Sequence, residues 1–548
     1  MKPRMRTSAL GFLRTGVLLL VLSAPSAWMV ATIPPLWRDA DGYNQVTQDP
    51  LVMTFWGHAP AYCYLSRVPL FLGEQFERWR GAVAANHENG ESHLTNSGVW
   101  LLIILQHLAL CGAAFYFILT ISGLFLVRLA CALVWASNAL FYTFAHCVGS
   151  ETLGMILVVL AVTLGLRLVR SRSEPRWIAW YLFAITLFLC LLSRHVNAWL
   201  ISLLPAAFLL SWVQNRLSSL FASGDRKRCW QQRLGTIELR RAVIALAVGI
   251  ACFAVAHSLV QGLARKTQLQ PHSRIGFTFL WRLHFLKALP PEARAALLQK
   301  VSSRTPSTKT RQLIALLGQM HEERADLNGA GLFLQRAIPL LFPQEKYTPW
   351  EKVHRELNQM AFAFLLPPTP EHMRTAGTEF VAALKMPVTE ISFFLFVTTV
   401  YYFENKSVMP ACAELTTFRD RRTEQIMQIP VEHLYFRLWR SVDYRISLVI
   451  WFVSLLALIM VARWKKVNVT AIAAFGITLT SVGLLMVGST CLLGEFIPRY
   501  GLPMWELLLL SVYIFVGKTA GLFAMGATGS GARLSVDSKQ SAGQRAGC

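Results

Sequence analysis

Ten stretches of about 20 mostly apolar residues run through this chain, each long enough to cross a bilayer as a helix. They lie near 10–33, 98–121, 123–146, 150–168, 177–193, 194–212, 242–263, 446–462, 469–492 and 502–522. The 177–212 stretch is interrupted only by Ser193-Arg194-His195 and Asn197, which read as the tip of a tight hairpin. The 123–146 stretch is the least regular, because Arg128 sits near its start. Composition agrees with this reading: 54% of the residues are hydrophobic and 15% are charged, against about 25% charged in soluble domains. A water-soluble enzyme, a disordered scaffold and a secreted disulfide miniprotein are excluded. The fold class is an all-α polytopic membrane protein with about ten transmembrane helices.

The formal net charge is +23, and its placement decides what it means. If ten spans alternate, the basic clusters fall on one side: Lys2, Arg4, Arg6 and Arg14; Arg167, Arg170, Arg172 and Arg176; Arg216 to Arg241; Arg463, Lys465 and Lys466; Lys518 onward. The positive-inside rule then puts both termini in the cytoplasm, and the excess records orientation rather than nucleic-acid binding. Ala24-Pro25-Ser26-Ala27 loosely resembles a signal cleavage site, but the apolar run from Gly16 to Ile33 is longer than a signal core, so a retained helix is expected.

The same parity puts two large segments outside. Residues 1–263 form an N-terminal module of about seven spans carrying the first outer loop, 34–97. Residues 264–445 form a mainly helical extracytoplasmic domain, with Pro290-Pro291 opening one helix. Residues 446–522 hold about three further spans, and 523–548 read as a disordered, Gly/Ser-rich cytoplasmic tail. The apolar run 391–402 is too short to span, so it is expected to be buried in the outer domain or to dip into the interface. Most of the ten cysteines fall in spans, where Cys acts as a small apolar residue. Cys63 and Cys412 are the clearly external thiols, which leaves a bridge between them open; metal-site spacing is absent.

Polar chemistry gathers on the outer face. Trp37-Arg38-Asp39-Ala40-Asp41-Gly42-Tyr43 sets two carboxylates just beyond a helix end. They could ligate a divalent cation, accept a proton from a hydroxyl nucleophile, or simply form a solvated turn. The segment from Trp56 to Gly73, with His58, Tyr62 and Tyr64, is aromatic and amphipathic and fits a helix lying in the headgroup plane. Short outer connections add His146 to Glu151, Ser193 to Asn197, and Gly494 to Pro503. Arg194 and Arg499 lie on the side where topology does not call for arginine, so they are functional or paired, Arg499 with Glu495 being one such pair. Glu506, early in the last span, is a further candidate; His107 and His257 read as packing or interhelical hydrogen bonds.

Taken in order, these motifs resemble the GT-C superfamily of membrane glycosyltransferases, which includes protein O-mannosyltransferases and the aminoarabinose transferase of lipid A. The similar features are an acidic motif in the first outer loop (Asp39, Asp41, then Tyr43), a His-Pro-Pro-like juxtamembrane helix (here His58-Ala59-Pro60, then Tyr62 and Tyr64), and Ser150-Glu151 opening the fourth span. Ser193-Arg194 at a hairpin and Arg499-Tyr500-Gly501-Leu502-Pro503 at a late span complete the set. The likeness is best over the first 212 residues and the last two spans. Asp-Ala-Asp replaces the usual Asp-Glu pair, and the outer domain between spans seven and eight matches neither relative.

The resemblance implies a GT-C-like bundle that transfers a sugar from a polyprenyl-phosphate donor to a cell-envelope acceptor hydroxyl. Asp41, or else Asp39, would be the base; Arg499, with Arg194, would hold the departing lipid phosphate. Tyr43, His58, Tyr62, Glu151 and Tyr500 would bind substrate, and Asp39 with Asp41 could hold a divalent cation. The organisation reads as a bacterial inner-membrane protein with its site on the outer face, and no nucleic acid is expected as a partner. No nucleotide-binding P-loop or dinucleotide fingerprint occurs. The rival readings are a lipid or solute transporter or flippase, and a non-catalytic assembly subunit.

Overall fold

Long apolar runs close their own backbone hydrogen bonds, and this chain folds accordingly into helices joined by short turns. The computed structural model describes residues 3–55, 58, 60–81, 94–171, 175–220, 225–266, 275–323, 331–405, 409, 412, 415, 423–494 and 497–527. Helix α1 (Pro3–Thr32) leads into strand β1 (Leu36–Trp37) and four small helices, α2 (Ala40–Thr47), α3 (Pro50–Phe55), α4 (Pro60–Leu65) and α5 (Arg67–Trp79). Then come α6 (Asn96–Ile121), α7 (Phe125–Ser137), α8 (Ala139–Ala145), strand β2 (Cys147–Val148), α9 (Ser150–Arg170) and α10 (Trp177–Ser193). A 3-10 turn (His195–Ser202), α11 (Leu203–Leu220) and α12 (Asp225–Lys266) follow, and helices Tyr444–Trp464, Thr470–Leu493 and Leu502–Ala527 close the bundle.

Among the described residues, eight helices are long and apolar enough to cross a membrane, or nine if α7 and α8 count as one broken span. The chain is an all-α, multi-pass membrane protein. Two of the ten expected stretches fall short of straight spans. Helix α10 has 17 residues, and α7 and α8 meet at a 63° bend. The bend has a local cause: the Asn138 side chain accepts from Leu140 N at 3.1 Å, starting a new helix inside an apolar run. Arg128 is not stranded in lipid either. Its guanidinium donates to Ser122 O (2.6 Å) and Leu119 O (3.0 Å), covering carbonyls that the end of α6 leaves open.

Buried polar pairs tie the helices together. His107 bonds Ser26 of α1 at 2.9 Å and His146 at 3.0 Å, and His146 reaches Ile33 O at 2.9 Å. Helix α5 leaves Val68, Phe71, Leu72, Phe76 and Trp79 exposed and lays Leu70 and Gly73 on α6. A Cβ on Gly73 would stand 2.2 Å from the Gly98 backbone, so the two helices cross at a contact only glycine allows.

The described residues of the 264–445 segment contribute to two hydrophobic cores. Helices α13 (Ile275–Arg282), α14 (Pro291–Ser303), α15 (Thr308–Glu322), α16 (Gly331–Leu341) and α17 (Trp350–Leu365) enclose a core of their own around Phe279, Leu317, Leu357 and Phe364. Helix α18 (Pro370–Lys385) rests against the 470–493 helix. Helix α19 (Val388–Glu404) instead joins the core of the membrane bundle through Ile391, Leu395 and Phe396. Much of the apolar run 391–402 is thus buried against the segment that follows α1, where Trp37 N donates to the Thr399 hydroxyl at 2.9 Å. Cys63 and Cys412 are both buried, and no disulfide joins them to each other.

Candidate functional site

Two residues of parallel strand pairing create the site. Leu36 lies beside Cys147 and Trp37 beside Val148, which brings the residues after β1 against those after β2. Helices α2 and α9 start there, and helix N-termini favour negative charge. Asp39 caps α2, accepting from Gly42 N at 2.9 Å. Ser150 and Glu151 open α9, and Gln45 of α2 clasps Ser150 through its backbone N (3.2 Å) and its hydroxyl (3.4 Å).

Arg38 binds these parts together. Its Nε donates to Asp39 Oδ1 at 2.7 Å, its Nη1 to Glu151 Oε2 at 3.0 Å, and its Nη2 lies 3.8 Å from Asp41 Oδ2. Arg499 closes on the other Asp39 oxygen and stands 3.8 Å from Glu151. Arg194 lies 3.6 Å from the same Glu151 oxygen. Gly154 makes room for it, since a Cβ there would meet the Arg194 Cδ at 2.9 Å. Burial works against the charge on Asp39, but Arg38 and Arg499 outweigh it, so the carboxyl stays well below the usual range. Asp41 differs: its side chain is 53% exposed, with only the longer approaches of Arg38 and of His58 Nε2 (3.9 Å). Two buried donors in this network, Arg38 Nη2 and Arg499 Nε, have no hydrogen-bond partner among the described residues.

These groups line a cavity of about 820 Å³. The lining combines polar residues, Arg38, Asp39, Asp41, His58, Glu151, Arg194, His195, Arg499 and Tyr500, with apolar and aromatic ones, Trp199, Phe277, Trp281, Leu493 and Ile497. Its described lining holds three guanidiniums and three carboxylates, a formal balance before the imidazoles are counted. Tyr402 of α19 also faces the cavity, and its hydroxyl accepts from Ala40 N at 2.8 Å.

Of the residues singled out in the sequence, Asp39, Asp41, His58, Glu151, Arg194, Arg499 and Tyr500 share this cavity. Tyr43 and Tyr62, expected to bind substrate, lie outside its lining. Tyr43 is buried beside Trp37. The Tyr62 hydroxyl accepts from Gly149 N (2.9 Å) and donates to Gln106 (3.3 Å), holding the turn under the site. Glu506 is buried inside the bundle and does not line the cavity. Arg499 pairs with Asp39, and Glu495 lies outside the described residues. The expected divalent-cation site does not fit either. Asp39 is taken by two guanidiniums and Asp41 faces Arg38, so a cation there would meet positive charge. Among the described residues no group of three His, Cys, Asp or Glu is arranged to hold a metal.

The sequence reading missed Arg38, Gln45, Tyr402 and the aromatic lining residues from α13. Arg38 immediately precedes the two acids of the quoted motif, and that adjacency is the signal the sequence offers. No family model matches this chain. No curated protein matches it significantly.

Proposed function

We propose that this protein is a membrane glycosyltransferase with GT-C-like chemistry, moving a sugar from a polyprenyl-phosphate donor to an acceptor hydroxyl of the cell envelope. One observation carries the reading: a half-exposed carboxylate, Asp41, shares a cavity with two buried guanidinium donors, on Arg38 and Arg499, that lack hydrogen-bond partners among the described residues. A guanidinium suits a phosphate, which it can bind through two parallel hydrogen bonds. The apolar lining residues Phe277, Trp281 and Leu493 suit an isoprenoid segment beside it.

In the proposed reaction the acceptor oxygen attacks the anomeric carbon and its proton passes to Asp41. The bond from that carbon to the phosphate oxygen breaks, and its electron pair leaves with the lipid phosphate. Arg499, Arg38 and Arg194 meet the charge that develops there. Asp39, held by two guanidiniums, positions them. The membrane placement belongs to the same proposal: ten spans with α7–α8 and α10 each crossing once, an inner-membrane location, both termini cytoplasmic and the cavity on the outer face. The positions of Arg170, Arg241, Lys466 and Lys518 at the far end of the helices support it.

The test is turnover of labelled polyprenyl-phosphate sugar by the purified protein. Wild type should release lipid phosphate, and Asp41→Asn should be slower by about 10²–10⁴-fold with donor binding nearly unchanged. Undiminished turnover in both Asp41→Asn and Asp39→Asn would remove the base. Uptake of the intact donor into vesicles without bond cleavage would favour the transporter reading, and neither outcome the assembly subunit.

A further inference from the structure

A second cavity, of about 1070 Å³, lies at the opposite end of the same helices. Helix α9 begins at the first cavity with Ser150 and Glu151 and ends at the second with Val169 and Arg170. Its 21 residues span roughly 30 Å, the thickness of the hydrocarbon layer. The 470–493 helix and the 502–527 helix also run from one cavity to the other.

We infer that this second cavity binds the phosphate headgroup of an anionic phospholipid. Five cations line it, Arg128, Arg170, Arg241, Lys466 and Lys518, against a single carboxylate, Glu238, among the described residues. Arg241 is 6% exposed, and Ser211 Oγ, also of the lining, is buried with no hydrogen-bond partner among the described residues. Arg128 and Arg170 are anchored on backbone carbonyls at the end of α6 rather than on acids, so their charge is not neutralised there. Lys466 sits at a φ of 53°, a left-handed conformation that glycine usually takes at a helix end. Lys466 is exposed and adds its cation to the lining.

A lipid fits better than a soluble phosphate because the lining continues into Leu119, Ile121, Val169, Ile237 and Ile472. Exposed Trp464 and Phe523, their ring centroids 6.1 Å apart, mark the headgroup level at this end. Basic pockets between membrane helices are suited to anionic headgroups. The inference needs only the membrane-spanning architecture; its assignment to the cytoplasmic leaflet rests on the proposed topology.

The test is thermal stabilisation and native mass spectrometry of the detergent-purified chain with phosphatidylglycerol, phosphatidylcholine or inorganic phosphate. Phosphatidylglycerol should bind and stabilise selectively. Lys466→Ala/Lys518→Ala, at positions exposed or half-buried and so tolerant of change, should weaken it about 30-fold, equivalent to about 2 kcal/mol. Glu238→Gln should tighten it. Equal effects of phosphatidylcholine, full stabilisation by inorganic phosphate alone, or unchanged binding in the double variant would each overturn the inference. Because no turnover is read, the result is independent of whether the first cavity transfers sugar.

Discussion

Replacing Glu151 by glutamine removes the one acid that faces all three guanidiniums of the site. Arg38, Arg194 and Arg499 lie 3.0, 3.6 and 3.8 Å from its carboxylate. At an effective dielectric of about 20, each contact contributes about 4–6 kcal/mol of gross attraction. Desolvation of the buried charges consumes most of that, and breaking such a pair from one side costs about 3–5 kcal/mol. The loss should fall chiefly on Arg194. Arg38 and Arg499 keep Asp39, whereas Glu151 is the carboxylate beside Arg194. Removing Arg194 as well should therefore restore part of the loss. Apparent melting of the detergent-purified protein, followed by tryptophan fluorescence, gives the comparison among Glu151→Gln, Arg194→Gln and the double variant. The double variant should be more stable than the sum of the single effects by about 0.5–3 kcal/mol. Strict additivity, or a melting point for Glu151→Gln equal to that of wild type, would refute the charge-balance reasoning.

Other outcomes follow from the same physics. Burial, with the nearby charge of Arg282, lowers His372 to about 4 from an ordinary value of 6.5. The folded chain keeps it neutral while the unfolded chain takes up a proton, so stability should fall by at most about 3 kcal/mol from pH 6.5 to 4 and flatten below that. His372→Leu should reduce this slope in a pH series of melting points; His321, also lowered to about 4, would retain its share. Gly73→Ala should force α5 away from α6 and cost about 1–3 kcal/mol or more, read as a lower melting temperature, whereas Gly81→Ala tests a turn with open space but a φ of 77°. Cysteines placed at Asp41 and Lys466, both solvent-facing, should react with an impermeant maleimide from opposite faces of sealed vesicles; labelling from one face would undo the proposed topology.

The sequence is most legible where physics is local. A run of 20 apolar residues must become a helix in lipid, so the membrane bundle can be read without contacts. The loop after the first span and the ends of α9, α10 and the last helix could be picked out because polar groups at such depths are costly unless used. Periodicity and length could not show the bend at Asn138, because one cap outweighs an otherwise apolar run. Nor could they assign α19 to the bundle: its Thr399 hydroxyl meets Trp37 N across 362 positions of sequence.

By itself, then, the order of residues determined that this chain crosses a membrane repeatedly and which short connections carry acids and arginines. Tertiary structure alone decided that Arg38 sits among Asp39, Asp41 and Glu151, that Asp39 is held in ion pairs while Asp41 remains open, and that Tyr43 and Tyr62 support the site from beneath. The reason is electrostatic. A carboxylate's role depends on which cations lie within about 4 Å of it, and those neighbours come from segments as distant as residues 39 and 499.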